Sequence, residues 1–72
     1  MTFKKDQGQW KMKYKNYTAY ISRYFGAWST SYYLSIDVDT FDGKYYEIKR
    51  LVSEREFHNL NEAKRFAKDY LI

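Results

Sequence analysis

YYLSIDVD, at residues 32–39, is the clearest strand signal in the chain. Its residues alternate with a period of two between apolar and mostly polar side chains, which is typical of a half-buried β-strand. Leu34 and Ile36 identify the face that packs on a core. The stretch that follows, 40–43, ends in Asp-Gly, which is among the strongest hairpin signals. This segment therefore predicts a strand that continues into an antiparallel neighbour.

Strands are also predicted on both sides of this segment. Alternation begins at Trp10, breaks at Asn16 and resumes over 17–24. This pattern fits either one strand with a bulge or two short strands, and the sequence does not decide between them. Phe25-Gly26-Ala27 supplies the next turn, since glycine tolerates the backbone angles of hairpins. Downstream, residues 45–52 alternate with apolar side chains on both faces, which leaves their register open by one residue.

The C-terminal segment changes to a helical period. Its apolar stripe consists of Leu60, Ala63, Phe66, Ala67, Tyr70 and Leu71. Asn59 stands before it as an N-cap and Glu62 follows three residues later, which together outline a capping box. The predicted fold is α+β, with a three-stranded or possible four-stranded antiparallel sheet and one C-terminal helix on one face. Residues 10–72 form this single β-β-β-α domain, and residues 1–9, which lack periodicity, form a loose N-terminal segment.

Aromatic side chains are frequent in this chain. Of 72 residues, 22% are aromatic, nine are tyrosine and none is cysteine or proline. A domain of this size buries only about 60% of its unfolded surface, and each large ring covers about 150–250 Å². Four rings are expected to take the place of a larger aliphatic core: Trp10, Tyr14, Phe66 and Tyr70. Other tyrosines are in excess of that core.

The basic residues are concentrated near the N-terminus. The net charge is +4, and residues 1–28 hold six basic side chains against the single Asp6. A positive field of this kind favours an anionic partner. No apolar run approaches the roughly 20 residues that span a bilayer, and the first residues lack the apolar stretch of a signal peptide. A cytoplasmic location without membrane contact is therefore expected, in the host cell if the protein is phage-encoded.

The sheet face away from the helix is the candidate binding surface. The residues assigned to it as ligands of nucleic acid or of another partner are Lys11, Lys13, Lys15, Tyr20, Tyr24, Tyr33, Tyr45 and Lys49. Bases stack on exposed rings and lysines neutralise phosphates, so this mixture favours nucleic acid. Tyrosine is also a good strand former on a half-wet face and is common in protein interfaces. Those two alternatives stay open.

Catalytic and metal sites are not predicted. Asp37, Asp39 and Asp42 resemble the start of a calcium loop, but the ligand at its fifth position and the glutamate at its twelfth are missing. His58 is the only histidine and stands where the helix begins. With no cysteine, neither a triad nor a zinc site can be assembled in the usual way. No enzyme activity and no cofactor are expected.

Asp42-Gly43-Lys44 and the segment from Phe57 to Ala67, FHNLNEAKRFA, carry a resemblance to a known family. Over about residues 10–71 the chain resembles the arm-type DNA-binding domain of phage-type tyrosine integrases. That resemblance implies DNA contacted in the major groove by the exposed sheet face, with Lys13, Tyr20, Tyr33 and Lys49 as candidates. The chain is also similar to stand-alone small phage proteins, among them anti-CRISPR and other host-takeover factors, which implies a host protein as partner.

Three hypotheses of function follow. The leading one is a non-enzymatic phage or mobile-element module that binds nucleic acid, DNA rather than RNA. The second is an inhibitor or adaptor of a host nucleic-acid-processing protein, whose acidic loop 37–42 meets a basic site. The third is a homodimer formed through an exposed edge strand.

Overall fold

The computed structural model describes residues 2–72 as an antiparallel sheet followed by one helix. The elements are β1 Lys4–Asp6, β2 Gln9–Tyr14, β3 Tyr17–Phe25, β4 Thr30–Phe41, β5 Tyr46–Phe57 and α1 Leu60–Leu71. The strands pair in chain order, β1-β2-β3-β4-β5. The α+β class, the antiparallel sheet and the C-terminal helix are thereby confirmed. The expected number of strands was wrong, since the sheet has five rather than three or four.

One additional strand lies in the segment that was expected to be loose. β1 pairs with β2, with Lys5 opposite Trp10. Gln7 and Gly8 join the two strands with φ angles of 51° and 78°, and positive φ at both central residues defines a type I′ hairpin turn. Because β1 contains only charged residues, it has no apolar alternation to reveal it. Its backbone bonds to β2 are what order it.

The second additional strand results from a turn at Lys15 and Asn16. Tyr14 pairs directly with Tyr17, so the interruption is a two-residue hairpin rather than a bulge. Lys15 has a φ of 54°. Asn16 ties this turn to β4, because its carbonyl accepts from the Asp39 N–H at 2.8 Å and its Nδ2 donates to the Asp39 carbonyl at 2.7 Å.

Irregular pairing between β4 and β5 settles the register of the last strand. Ile36 lies opposite Val52 whereas its neighbour Asp37 lies opposite Arg50, and the register shifts again between Leu34 and Ile36. A bulge adds residues to one strand and changes which side chains share a face. Beyond the shift at Ile36 and Asp37, Lys49 lies opposite the buried Val38.

Small and aliphatic side chains form the centre of the core. The largest fully buried side chains are Met12, Ile21, Leu34 and Ile36. Ala63 and Ala67 have no exposed surface, so the helix packs closely on the sheet through its two smallest apolar residues.

The ring set that was expected to form the core is only partly inside. Trp10 is buried, and Phe66 packs at the margin of the core. Tyr14 is half-buried. Tyr70 remains 47% exposed while its ring stacks on Phe66 at 6.0 Å between centroids. Rings therefore frame an aliphatic core instead of replacing it.

The helix begins as the sequence predicted. Asn59 has an extended backbone, and its Oδ1 accepts from the N–H groups of Asn61 at 2.8 Å and Glu62 at 3.2 Å. An N-cap of this kind satisfies amides that have no partner inside the helix. The helix then covers one face of the sheet and leaves the other to solvent.

The β4–β5 hairpin extends beyond the rest of the sheet. Since β3 begins at Tyr17, opposite Val38, the hairpin continues past the last pair that β3 makes with β4. We refer to residues 39–48 as the arm. The arm contributes to the elongated outline of the molecule, which measures 48 × 22 × 21 Å.

Candidate nucleic-acid interface

The sheet surface opposite α1, here the open face, is organised in rows that cross the strands. One row runs from Lys4 to Lys11, Tyr20 and Ser35. A second row runs from Asp6 to Gln9, Ser22, Tyr33 and Glu56. A third row runs from Lys13 to Thr18, Asp37 and Arg50. These rows exist because polar residues of β2 and β3 alternate with core residues, and opposite pairs share a face.

Lysines occupy the β1–β2 side of the open face. Lys4 and Lys11 are direct cross-strand neighbours, and Lys13 lies two residues further along β2. The Lys11 Nζ lies 5.6 Å from the centre of the Tyr20 ring, within the range of a cation–π contact. Like charges on adjacent strands repel one another. A bound anion would relieve that repulsion.

Tyrosines occupy the middle of the open face. Tyr24 and Tyr33 meet edge to face with centroids 6.5 Å apart, and Tyr24 is 61% exposed. Together with Tyr20 they line a shallow depression of about 470 Å³. The Tyr33 hydroxyl donates to Glu56 Oε2 at 2.9 Å, and this bond to a carboxylate raises the pKa of Tyr33. The hydrogen bond to Glu56 restrains the position of the Tyr33 ring.

An ion pair neutralises the acidic residue of the third row. Arg50 Nε donates to Asp37 Oδ1 at 2.7 Å and its Nη2 donates to Oδ2 at 3.1 Å. This fork of hydrogen bonds lowers the pKa of Asp37 and raises that of Arg50. The Asp37 side chain is only 12% exposed. On β1 and β2, the open face then carries three lysines against one acidic residue, Asp6.

Five of the residues predicted for the binding surface lie together on the open face: Lys11, Lys13, Tyr20, Tyr24 and Tyr33. Three lie elsewhere. Lys15 occupies the β2–β3 turn, with its Nζ 5.4 Å from the centre of the Tyr14 ring. Tyr45 belongs to the loop between β4 and β5. Lys49 lies on the side of Val38, because the shifted register reverses its face.

Several residues on or near the open face were not identified from the sequence. Lys4 joins Lys11 because β1 is a strand, and the Gln7-Gly8 turn was the only local signal for it. Arg50 reaches the open face through the bulged register of β5. Trp28 is 98% exposed in the loop between β3 and β4, at the end of the sheet where Tyr24 lies.

Asp42 and His58 have local partners. Asp42 Oδ1 accepts from the N–H groups of Lys44 at 2.9 Å and Tyr45 at 2.8 Å, and these bonds lower the pKa of Asp42. His58 Nε2 lies 3.5 Å from Glu56 Oε1. Within residues 2–72 no group of three or more histidine, cysteine or acidic side chains is arranged to hold a metal ion.

The ion pair provides a test of the architecture of the open face. We expect Arg50→Gln to lower the free energy of unfolding near pH 7, because a shielded carboxylate loses its charged partner. The folded-state pKa of Asp37 is lowered from its ordinary value of 3.8. The ion pair therefore stabilises the folded state fully above pH 3.8, and this stabilisation disappears as the pH falls through the lowered pKa of Asp37.

Urea denaturation at a series of pH values from neutral to below about pH 4 measures this change in the free energy of unfolding. The difference between wild type and Arg50→Gln should be largest above about pH 4 and should narrow below it. Lys49→Gln removes a positive charge from the neighbouring, exposed position and serves as the control. An equal loss in both variants would mean that the fork to Asp37 contributes nothing specific.

Comparisons with known proteins found no matching family model, no matching curated protein and no matching solved structure. Across residues 2–72, no helix is long and apolar enough to cross a membrane.

Proposed function

We propose that the protein is a non-enzymatic binding module that contacts nucleic acid through the open face. The observation that carries the proposal is the row of Lys4, Lys11 and Tyr20, flanked by Lys13. It combines adjacent ammonium groups with a ring on one solvent-facing surface. The phage or mobile-element setting implied by the integrase resemblance belongs to the same proposal, with DNA as the preferred ligand.

The chemistry of this surface fits a polyanion with planar bases. Each lysine that neutralises a phosphate releases condensed counterions, which drives binding and makes it dependent on salt. An exposed ring contributes about 1–3 kcal/mol when a base stacks on it. The ring of Tyr24 has the exposed area that stacking needs. Lysines would supply most of the affinity, and the tyrosines would add a preference for unpaired bases.

Fluorescence anisotropy with labelled DNA tests this function. Single-stranded and double-stranded oligonucleotides of about 20 nucleotides, and an RNA of the same sequence, are titrated at several salt concentrations. Three phosphate contacts predict that log K falls against log salt with a slope of about −2 to −3. Absence of binding at low salt by a folded protein would contradict the proposal.

A second candidate function is supported by the arm. Phe41, Tyr45, Tyr46 and Ile48 are all more than half exposed, and the rings of Phe41 and Tyr46 pack together at 5.2 Å. Exposed apolar patches of this kind mark protein-binding surfaces. A pull-down from host lysate with and without nuclease separates the candidates. A nuclease-resistant protein partner favours an inhibitor or adaptor, and loss of the bound material favours nucleic acid.

A further inference from the structure

β5 is a long strand at the edge of the sheet. It spans Tyr46–Phe57, and only Val52 and Phe57 are even partly buried along it. The opposite edge is β1, which has three residues. A long edge strand presents unpaired backbone groups that can pair with another chain.

The backbone groups that face this edge can be identified from β4. In an antiparallel ladder, opposite residues either bond to each other or both point away. The N–H and the carbonyl of Asp39 are bonded to Asn16 on the β3 side, and Asp39 lies opposite Ile48. The N–H and carbonyl of Ile48 therefore point out to the free edge. By alternation, so do those of Tyr46 and Arg50.

We propose that two copies of the chain pair antiparallel through Tyr46–Arg50, about a two-fold axis at Ile48. Ile48 then bonds to Ile48 of the second copy. Tyr46 bonds to Arg50 of the second copy, and Arg50 bonds to Tyr46. Each of these pairs exchanges two N–H···O bonds, so every outward-pointing backbone group of the segment gains a partner.

The charges of the segment select this register over its neighbours. Pairing outward groups with outward groups allows two-fold axes only at residue positions. An axis at Glu47 would oppose Glu47 to its own copy, and an axis at Lys49 would oppose two lysines. The axis at Ile48 instead places each Glu47 opposite Lys49 of the other chain. Opposite charges across strands are stabilising and like charges are not.

The side chains on the other face are complementary as well. Ile48 is 69% exposed and Tyr46 is 77% exposed in the single chain. At the axis the two Ile48 side chains cover one another. Each Tyr46 ring lies opposite Arg50 of the second copy and can pack on the aliphatic part of that side chain, while the guanidinium keeps its bonds to Asp37. The pairing thus buries the most exposed apolar residues of β5.

The bulges of β5 limit the interface to this segment. The ladder with β4 shifts between Arg50 and Val52, and Glu54 has a φ of 47°, so the edge is not a straight template beyond Arg50. A pairing through five residues buries less surface than the roughly 1,600 Å² of a standard interface. We therefore expect a weak dimer that dissociates on dilution.

Sedimentation equilibrium over a range of protein concentrations tests the pairing and its register. Glu47→Lys and Lys49→Glu each convert both charge pairs from attractive to repulsive, so each variant alone should dimerise at least about ten-fold more weakly. Mixing the two variants restores both attractive pairs, and a heterodimer should form. Arg65→Glu makes the same change in charge as Lys49→Glu on an exposed helix position and should leave dimerisation intact.

Amide hydrogen exchange locates the interface independently. The Ile48 N–H should become protected as protein concentration rises. The N–H groups of Glu47 and Lys49, which face β4, should be protected at every concentration. A protein that stays monomeric at millimolar concentration overturns the proposal, as does a dimer that neither charge variant weakens.

Discussion

Leu34→Ala should lower the free energy of unfolding by about 2–5 kcal/mol. Leu34 has no exposed surface and lies in the middle of β4, within the cluster that includes Ile21 and Ala67. A domain below about 80 residues rarely gains more than about 3–5 kcal/mol from its core. The substitution should therefore leave a large fraction of the chain unfolded without denaturant.

Leu51→Ala removes the same atoms from a neighbouring strand and is the matched control. Leu51 lies at the bulge of β5 and is 40% exposed, so we expect a loss of about 1 kcal/mol or less. Urea titrations followed by circular dichroism compare the two variants at a concentration low enough to avoid self-association. Similar losses of unfolding free energy in the two variants would mean that the core is not centred where the helix meets β3 and β4.

The strongest local signals predicted the elements that hold this core. β4 and α1 each combine a regular apolar period with a clear boundary residue, Asp42-Gly43 for the turn and Asn59 for the cap. Each signal lies within about 13 consecutive residues. Local physics therefore determined both elements, and the structure agrees with it.

The features that the sequence did not reveal depend on backbone pairing and side-chain contacts that leave no apolar period in the sequence. β1 is stabilised by backbone pairing with β2 and has no apolar residue of its own. The bulges in β5 occur where Ser35 Oγ accepts from the Glu54 N–H at 3.1 Å and where Arg50 reaches Asp37. Neither contact leaves a periodic trace in the sequence.

The residues of the candidate site likewise fall into those whose face was predicted correctly and those whose face was not. Alternation within β2, β3 and β4 correctly placed Lys11, Tyr20 and Tyr33 on one face. Extending that alternation through a turn misplaced Lys15, and extending it without the β5 bulges misplaced Lys49. One inserted residue reverses the face of the side chains beyond it, so predictions were accurate only inside uninterrupted strands.

Replacing the three lysines of the open face should remove most of the proposed affinity for nucleic acid. The variant is Lys4→Ala, Lys11→Ala and Lys13→Ala combined. Loss of three phosphate contacts should reduce the slope of log K against log salt by about 3 for duplex DNA, which amounts to near loss of its salt dependence. These side chains are exposed, so stability should change little.

Two comparisons test whether binding depends on the open face or only on the net charge of the protein. Lys64→Ala, Arg65→Ala and Lys68→Ala remove the same charge from α1, on the other side of the sheet, and should weaken binding far less. Tyr24→Ala should weaken binding to single-stranded DNA by about 1–3 kcal/mol while leaving the salt slope unchanged, because stacking releases no counterions. If the helix variant loses as much affinity as the open-face variant, attraction is general to the basic protein. Binding is assigned to the open face if only the open-face variants lose affinity. In that case the lysine variant changes the slope of log K against log salt, and Tyr24→Ala changes the preference for single strands.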